Sequence, residues 1–485
     1  MNFTRDVVDG APPQQRALVE IARGGGRREW TFGEVADASA RLAGTLAQHG
    51  IGKGDVVMTL IGNRPEWVLT MVACFRIGAV VLPCNEQLRA KDLRQRIDTA
   101  NPRLIIADER NYGELSAAIA TAQTRMSLIL TGESWEDALA ADPAPAVELQ
   151  PTDPCLITFT SGTTGESKGI VHGQRYLPGQ RLQSEHWLGA RPDDLVWCTA
   201  ASGWSKSARN VFIAPWLNGA AALLHDARFD PHERLELLEA ERVNVLCMAP
   251  TEYRLIAKRA EPRPVPSLRG LVAAGEALNP EVLRAFYEAT GLHIRDGYGQ
   301  TETGQLTGTT PGGSPRPGSM GRPLPGVDLR IEDGELILQD PRTDPTFFVG
   351  YVTGDRSPED RPWRTGDRVH RDKDGYLYFE GRADDVIISA GYRIGPFEVE
   401  SALVSHTAVA EAAVVAAPDD ERGSVVRAVV VLRDGHAPSE QLRRALQDHV
   451  KRETAPYKYP RIVEFAADLP KTASGKIQRA LLRGR

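Results

Sequence analysis

The chain has 485 residues, 41% hydrophobic and 25% charged, with 58 Lys and Arg against 64 Asp and Glu for a net charge of -6. That length exceeds what one hydrophobic core serves, and the interspersed charge excludes a basic face for nucleic acid or anionic lipid, so two or more domains and small-molecule partners are expected. No apolar run approaches the roughly 20 residues that span a bilayer, and residues 1–10 are too polar for a signal peptide, which predicts a cytoplasmic protein with no membrane role.

Residues 31–50 read as a helix. Thr31 and Glu34 form a capping box, Val35, Ala38, Leu42 and Leu46 fall at helical spacing, and Gly50 stops it. Strand-like runs follow at 55–61, 104–107, 156–159, 243–248 and 271–274, separated by helix-like stretches. This alternation predicts α/β layers with largely parallel strands, whose carboxyl ends bind ligands in open sheets. Residues 308–325, rich in Gly, Pro and Ser, predict irregular chain, followed by β-hairpin segments at 335–338 and 375–380, a distorted β unit. Beyond residue 382 the pattern becomes a compact α+β unit, with strands near 386–389, 412–416 and 428–432 and a helix near 439–452. Cys74, Cys84, Cys155, Cys198 and Cys247 are odd in number, dispersed and in apolar surroundings, which predicts reduced core thiols.

The chemistry concentrates in four clusters. Residues 158–169 read Thr-Phe-Thr-Ser-Gly-Thr-Thr-Gly-Glu-Ser-Lys-Gly. Gly162 and Gly165 free backbone N–H groups to turn inward, Ser161, Thr163 and Thr164 add hydroxyls, and Lys168 adds a point charge, a cradle suited to polyphosphate. The Walker A spacing is absent and no amphipathic helix opens after Gly169. Asp296, Gly297, Tyr298, Gly299, Gln300, Thr301 and Glu302 place a ring fit to stack on a purine beside a hydroxyl and a carboxylate fit for Mg²⁺. Asp367, after Thr365-Gly366, offers a carboxylate to ribose hydroxyls. Lys476, on a glycine-hinged loop, is placed to neutralise charge growing at phosphorus.

These motifs, in this order, resemble the adenylate-forming superfamily of acyl-CoA synthetases, nonribosomal peptide adenylation domains and luciferases, over essentially the whole chain. Within it the medium-chain acyl-CoA synthetases are most similar, through residues 203–208 (Gly-Trp-Ser-Lys-Ser-Ala), 297–304, 391–400 and 454–460. The resemblance implies an AMP-forming acid–thiol ligase using ATP, Mg²⁺ and coenzyme A on a small-molecule acid. Its large N-terminal part, residues 1–382, is joined to a small mobile α+β lid, residues 383–485.

By that resemblance Ser161, Gly162, Thr163, Thr164, Gly165 and Lys168 hold the β- and γ-phosphates, and Thr301 and Glu302 meet the α-phosphate and metal. Gly275, Glu276 and Ala277, with Asp296, Gly297 and Tyr298, face adenine; Gly299 and Gln300 belong to the same nucleotide motif. Asp367 and Arg382 face the ribose. Lys476 is catalytic in adenylation, Asp384 is the hinge, and Gly391, Tyr392 and Arg393 serve the thiol-dependent half-reaction.

For the acid pocket the resemblance implicates Trp204, Lys206, Arg209 and Gly299. Gly299 either relieves crowding alone or, standing where acetate-restricted relatives place a bulky aromatic, implies room for a larger acid. Ala201 stands where medium-chain relatives commonly have aspartate, and Arg209 where they commonly have an aromatic residue. An inward Arg209 predicts an aryl or polar acid, a dicarboxylate or another oxyanion; an outward one carries no information. His172, His186, His225 and His293 read as surface or satisfied core residues. The alternative functions are an adenylating enzyme of specialised metabolism, passing its activated group to a carrier protein or an amine or activating nitrite to diazotise an arylamine, and a non-catalytic nucleotide-binding module. A homodimer is compatible with any of these.

Overall fold

The Thr31 hydroxyl accepts from the Glu34 N–H (3.2 Å) while Glu34 Oε2 accepts from the Thr31 N–H (2.7 Å), and this reciprocal box starts helix Phe32–Gln48 as the sequence predicts. The structure is a computed structural model that describes the chain except residues 123–124, 161–166, 276–277, 279, 314, 384, 390–391, 420, 472–476 and 484–485, and the side chains of Glu133 and Arg393.

Two large sheets carry the N-terminal part. One runs, in spatial order, Gly350–Tyr351, Lys168–Gly173, Pro154–Thr160, Val80–Pro83, Val56–Leu60, Leu104–Asp108 and Ser127–Thr131. The other runs Arg322–Pro323, Gly304–Gly308, Ile294–Gln300, Gly270–Ala274, Val245–Met248, Leu195–Cys198, Ala221–His225, Arg16–Ile21 and Arg27–Thr31. Their centres are parallel, as the alternation of short apolar runs with helices predicts, and antiparallel pairs lie toward the edges except at Ser127–Thr131, which pairs parallel with Leu104–Asp108.

Helix Pro65–Ile77 is buried at every position except Glu66, because it is apolar all round and lies between the sheets. Its Trp67 meets Phe212 edge to face at 5.8 Å, and Phe212 meets Trp216 at 4.9 Å, tying the two layers into one core. The outer faces are covered by helices Ala90–Ala100 and Tyr112–Ile119 on one sheet, and by Pro231–Ala240, Pro250–Arg259 and Pro280–Thr290 on the other. All five cysteines are buried free thiols.

The predicted β unit is an antiparallel sheet of Leu329–Glu332, Glu335–Leu338, Trp363–Arg371 and Leu377–Arg382 over its own core of Leu336, Phe347 and Phe348. The C-terminal region is α+β. Strands Val409–Asp419, Gly423–Leu432 and Ile462–Ala466 carry helices Pro396–Val404 and Glu440–Glu453 on one apolar face.

Candidate active site

Strand Ile294–Gln300 sits where the nine-stranded sheet changes sense, parallel to Gly270–Ala274 on one side and antiparallel to Gly304–Gly308 on the other. Its register slips between Tyr298 and Gly299, and the chain turns at Thr301 and Glu302. A switch of this kind leaves a crevice at the strand's carboxyl end.

Asp367, a residue of Trp363–Arg371, reaches into that crevice. It accepts from the Tyr298 hydroxyl and from Gln300 Nε2 (2.8 Å) on Oδ2, and from Arg382 Nη1 (3.1 Å) on Oδ1. Arg382 lies opposite it on the neighbouring strand, and Gly366 takes φ 70°, with an added Cβ only 2.9 Å from Arg382 Nη2. Gln300 is clamped further by the Thr365 carbonyl (2.7 Å) and the Trp363 indole N–H (3.0 Å). The Tyr298 hydroxyl is held well above its ordinary pKa by burial and by the Asp367 charge. These contacts among Tyr298, Gln300, Trp363 and Asp367 were not legible in sequence, since 60 and more residues separate the partners.

Glu302 faces the same space. Loss of hydration raises its carboxyl above the usual range, while the Arg382 and Lys168 charges oppose that rise. Lys168 itself is exposed, at the start of strand Lys168–Gly173, which pairs antiparallel with Pro154–Thr160. Strand rather than helix follows the glycine-rich segment, consistent with its departure from Walker A. Residues 161–166, including Ser161, Gly162, Thr163, Thr164 and Gly165, lie outside the described residues.

On the opposite side of Ile294–Gln300, Lys206 Nζ donates to the Ala274 carbonyl (2.6 Å), and Gly275, at φ 109°, leaves no room for a Cβ, which would sit 2.6 Å from that ammonium. Desolvation pushes the Asp296 carboxyl up to about 8 against the Gly297 N–H (2.7 Å) and the Lys206 charge. Glu276 and Ala277 lie outside the described residues.

The residues expected around the acid divide. Trp204 is half-buried beside Gly203, whose φ of 87° and close approach to the Asn85 N–H (2.3 Å from an added Cβ) admit only glycine. Ala201 is exposed. At Gly299 an added Cβ would lie 1.8 Å from the Gly304 carbonyl oxygen, so a close backbone approach requires the glycine, in line with the crowding alternative.

Arg209 turns inward and is only 4% exposed. It opens a π turn, Arg209–Ile213, closed by the Ala214 N–H on the Arg209 carbonyl. Pro215 follows and has no N–H to continue an ordinary α ladder, which is the one local sequence signal for this turn.

His172 corrects the expectation of a satisfied core histidine. It is fully buried and stacks on Tyr176 at 4.0 Å, yet neither ring nitrogen makes a hydrogen bond among the described residues, although the Thr301 and Thr346 carbonyls lie close. Desolvation, with the Arg209 charge, lowers its pKa to about 3, so the ring is neutral. His293 stacks on Tyr287 (4.2 Å), His225 Nε2 lies 3.5 Å from Glu233, and His186 is partly exposed.

In the C-terminal region Tyr392 is 54% exposed and stacks on Tyr457 at 4.4 Å, which joins two of the sequence motifs. Gly391, the Arg393 side chain, Asp384 and Lys476 lie outside the described residues. Lys471 and Ile477, which flank the segment containing Lys476, pair with each other, and Lys471 is held by Glu411 (2.7 Å).

This architecture and these motifs define a known class. The family model described as AMP-binding enzyme matches residues 5–342, and that described as AMP-binding enzyme C-terminal domain matches residues 398–476. The chain belongs to the AMP-binding enzyme family, in the adenylate-forming superfamily. It is similar to the uncharacterized acyl–CoA ligase YtcI of Bacillus subtilis (strain 168), at 40% identity over 98% of this chain and 94% of that one. It is similar also to the human mitochondrial acyl-coenzyme A synthetase ACSM4, at 39% identity over 99% of this chain and 90% of that one. Among solved structures, the anthranilate CoA ligase AuaEII in complex with anthranoyl-AMP superposes with a TM-score of 0.89 at 28% identity, over 100% of this chain and 97% of that one. The sequence reading of an AMP-forming acid–CoA ligase close to the medium-chain synthetases is borne out by these full-length matches.

Proposed function

We propose that the chain is an ATP-dependent acid–CoA ligase working in two steps from one crevice. The observation that carries this reading is the convergence of Tyr298, Gln300, Glu302, Asp367 and Arg382, drawn from three separate motifs, on the carboxyl end of one strand, with Lys168 in the same electrostatic neighbourhood. In the first step a carboxylate oxygen of the acid attacks the α-phosphorus of ATP, the bond from that phosphorus to the bridging oxygen breaks, and pyrophosphate leaves. In the second the deprotonated thiol of coenzyme A attacks the acyl carbon and AMP departs.

Asp367 Oδ1, which spends one lone pair on Arg382, retains acceptor capacity for a ribose hydroxyl. Tyr298 offers a ring held in place by its own hydroxyl for purine stacking. The Glu302 carboxylate is met by its own backbone N–H and by no side chain among the described residues, which suits a hard cation taken up by one carboxylate together with substrate phosphates, as Mg²⁺ prefers. Such a cation supplies charge neutralisation on the phosphate oxygens. Lys476 is assigned the role of stabilising negative charge that peaks as the new bond to phosphorus forms.

Residues 383–485 are assigned to a lid that swings about Asp384, retiring Lys476 and presenting Gly391, Tyr392 and Arg393 to the thiol. A carrier-protein thiol as acceptor is the second reading, and the exposed Tyr392 and Tyr457 stack favours a surface that engages a partner in one pose. The test is a pyrophosphate-release screen over aliphatic, aryl, amino-substituted and inorganic acids, with and without coenzyme A, with AMP quantified. AMP formation that depends on thiol supports the ligase; cleavage of ATP to ADP alone overturns it.

A further inference from the structure

Five arginines are buried among the described residues, and four are answered by the fold. Arg76 meets Asp9, Arg234 meets Glu252 (3.2 Å), Arg427 meets Glu464 (2.6 Å), and Arg295 donates to the Trp187 and Leu188 carbonyls at 3.0–3.3 Å. Arg209 is the exception. Its Nε and Nη1 have no partner, no carboxylate pairs with it among the described residues, and the Tyr176 hydroxyl is its one hydrogen-bonding neighbour. A cation withdrawn from water without an anion costs several kcal/mol, so a fold that holds one keeps it for something that is not part of the chain.

The position of this cation is informative. Tyr176 stacks on His172, and the His172 ring lies by the Thr301 carbonyl, so Arg209 is two side chains from the turn that carries Thr301 and Glu302. His172 is neutral, Tyr176 is uncharged, and Cys155 and Cys247, the nearby titratable groups, are buried thiols. Arg175 and Lys206, the other charges acting on these groups, are held by Glu359 and by the Ala274 carbonyl, which leaves the Arg209 guanidinium as the unanswered charge of that cluster among the described residues. A π turn projects it, and such turns recur at functional sites because they aim a side chain that a regular helix would place elsewhere.

We infer that Arg209, with the Tyr176 hydroxyl beside it, is an anion subsite, and that the substrate of this enzyme presents a planar, carboxylate-sized oxyanion there rather than a plain hydrocarbon tail. The inference rests on the ligase reading and narrows its substrate class. Two sources supply the same chemistry: a second carboxylate on an organic acid whose first carboxylate is activated, or a small free oxyanion that is itself the group activated. In both the guanidinium donates Nε–H and Nη–H as a fork to the two oxygens.

The experiment has two readouts on wild type, Arg209→Met and Arg209→Lys. Binding of heptanoate, pimelate, benzoate, isophthalate and nitrite is measured by titration calorimetry, and pyrophosphate release is measured with each and ATP. Wild type should favour pimelate over heptanoate and isophthalate over benzoate, or else bind nitrite. Arg209→Met should lose at least about thirtyfold in affinity for the preferred anion and gain on heptanoate, with Arg209→Lys between. Arg209→Met should also unfold at a higher temperature than wild type without ligand, because an unanswered charge has left the core. A dicarboxylate preference identifies the first source, and nitrite-dependent pyrophosphate release the second. Equal binding of charged and uncharged tails by wild type, or an unchanged ranking in Arg209→Met, overturns the subsite, as does a lower unfolding temperature for Arg209→Met. Anion binding lost in Arg209→Met, with no pyrophosphate released from any acid, sustains the subsite and removes the ligase reading instead.

Discussion

Gln300 Nε2 lies 2.8 Å from Asp367 Oδ2, a contact that welds the last residue of one strand of the nine-stranded sheet to the middle of a separate antiparallel β unit. The same oxygen takes the Tyr298 hydroxyl, so one carboxylate fixes both the ring proposed to stack on a purine and the end of the strand that leads into Thr301 and Glu302. Asp367→Ala removes the acceptor that Tyr298, Gln300 and Arg382 share, leaving Gln300 and Arg382 the Thr365 carbonyl. The expected outcome is a loss of about 3 kcal/mol in unfolding free energy and roughly a tenfold rise in KM for ATP, read by urea titration and pyrophosphate release. A variant as stable as wild type would detach this carboxylate from the joining of the two units.

His172 gives a pH dependence whose sign is fixed by its burial. The folded pKa is about 3 against 6.5 for the free side chain, so between those values the unfolded chain binds a proton that the folded one does not. Its contribution to stability is full above pH 6.5 and falls as pH drops, by about 1.4 kcal/mol per unit. Comparing wild type with His172→Phe by denaturant unfolding at pH 7 and pH 5.5 should show the variant losing less stability on acidification; parallel losses would mean that the ring is already protonated or hydrated.

Gly299 tests backbone against pocket. Gly299→Ala drives a methyl into the Gly304 carbonyl, at 1.8 Å from its oxygen, and overpacking of that severity costs about 3 kcal/mol or forces the two strands apart. The expected result is a fall in thermal midpoint with loss of adenylation for every acid. A stable Gly299→Ala enzyme that merely prefers shorter acids would restore the glycine to the role of pocket-widener.

Lys476→Ala should reduce the rate of pyrophosphate release by about a hundredfold or more with little change in ATP affinity, since the charge it answers develops in the transition state. Pre-steady-state release and equilibrium nucleotide binding separate the two. Full-speed release would take Lys476 out of the chemistry.

Several elements were legible because their signals are local. The Thr31 and Glu34 capping box lies within one turn, and the parallel strands announce themselves as β-branched runs flanked by helices. The motifs that mark the AMP-binding family were legible as short strings, through their resemblance to that family. The inward orientation of Arg209 was not, because orientation depends on a π turn whose one local clue is Pro215. The unsatisfied state of His172 was likewise hidden, since it is decided by neighbours drawn from Tyr176, Thr301 and Thr346. The crowding at Gly299 was hidden for the same reason: the atom that forbids a side chain belongs to the next strand, across a register slip.

By itself, then, the sequence determined the layered α/β class, because it is encoded in residue type and short spacing, and the adenylate-forming family, through the resemblance that its motifs carry. Only the tertiary structure decided that Asp367 clamps Tyr298 and Gln300, that Gly299 answers a carbonyl, and that Arg209 is a buried cation without a counter-charge among the described residues. The physical reason is that burial and pairing are properties of what surrounds a side chain, and those surroundings come from strands and turns far apart in the chain.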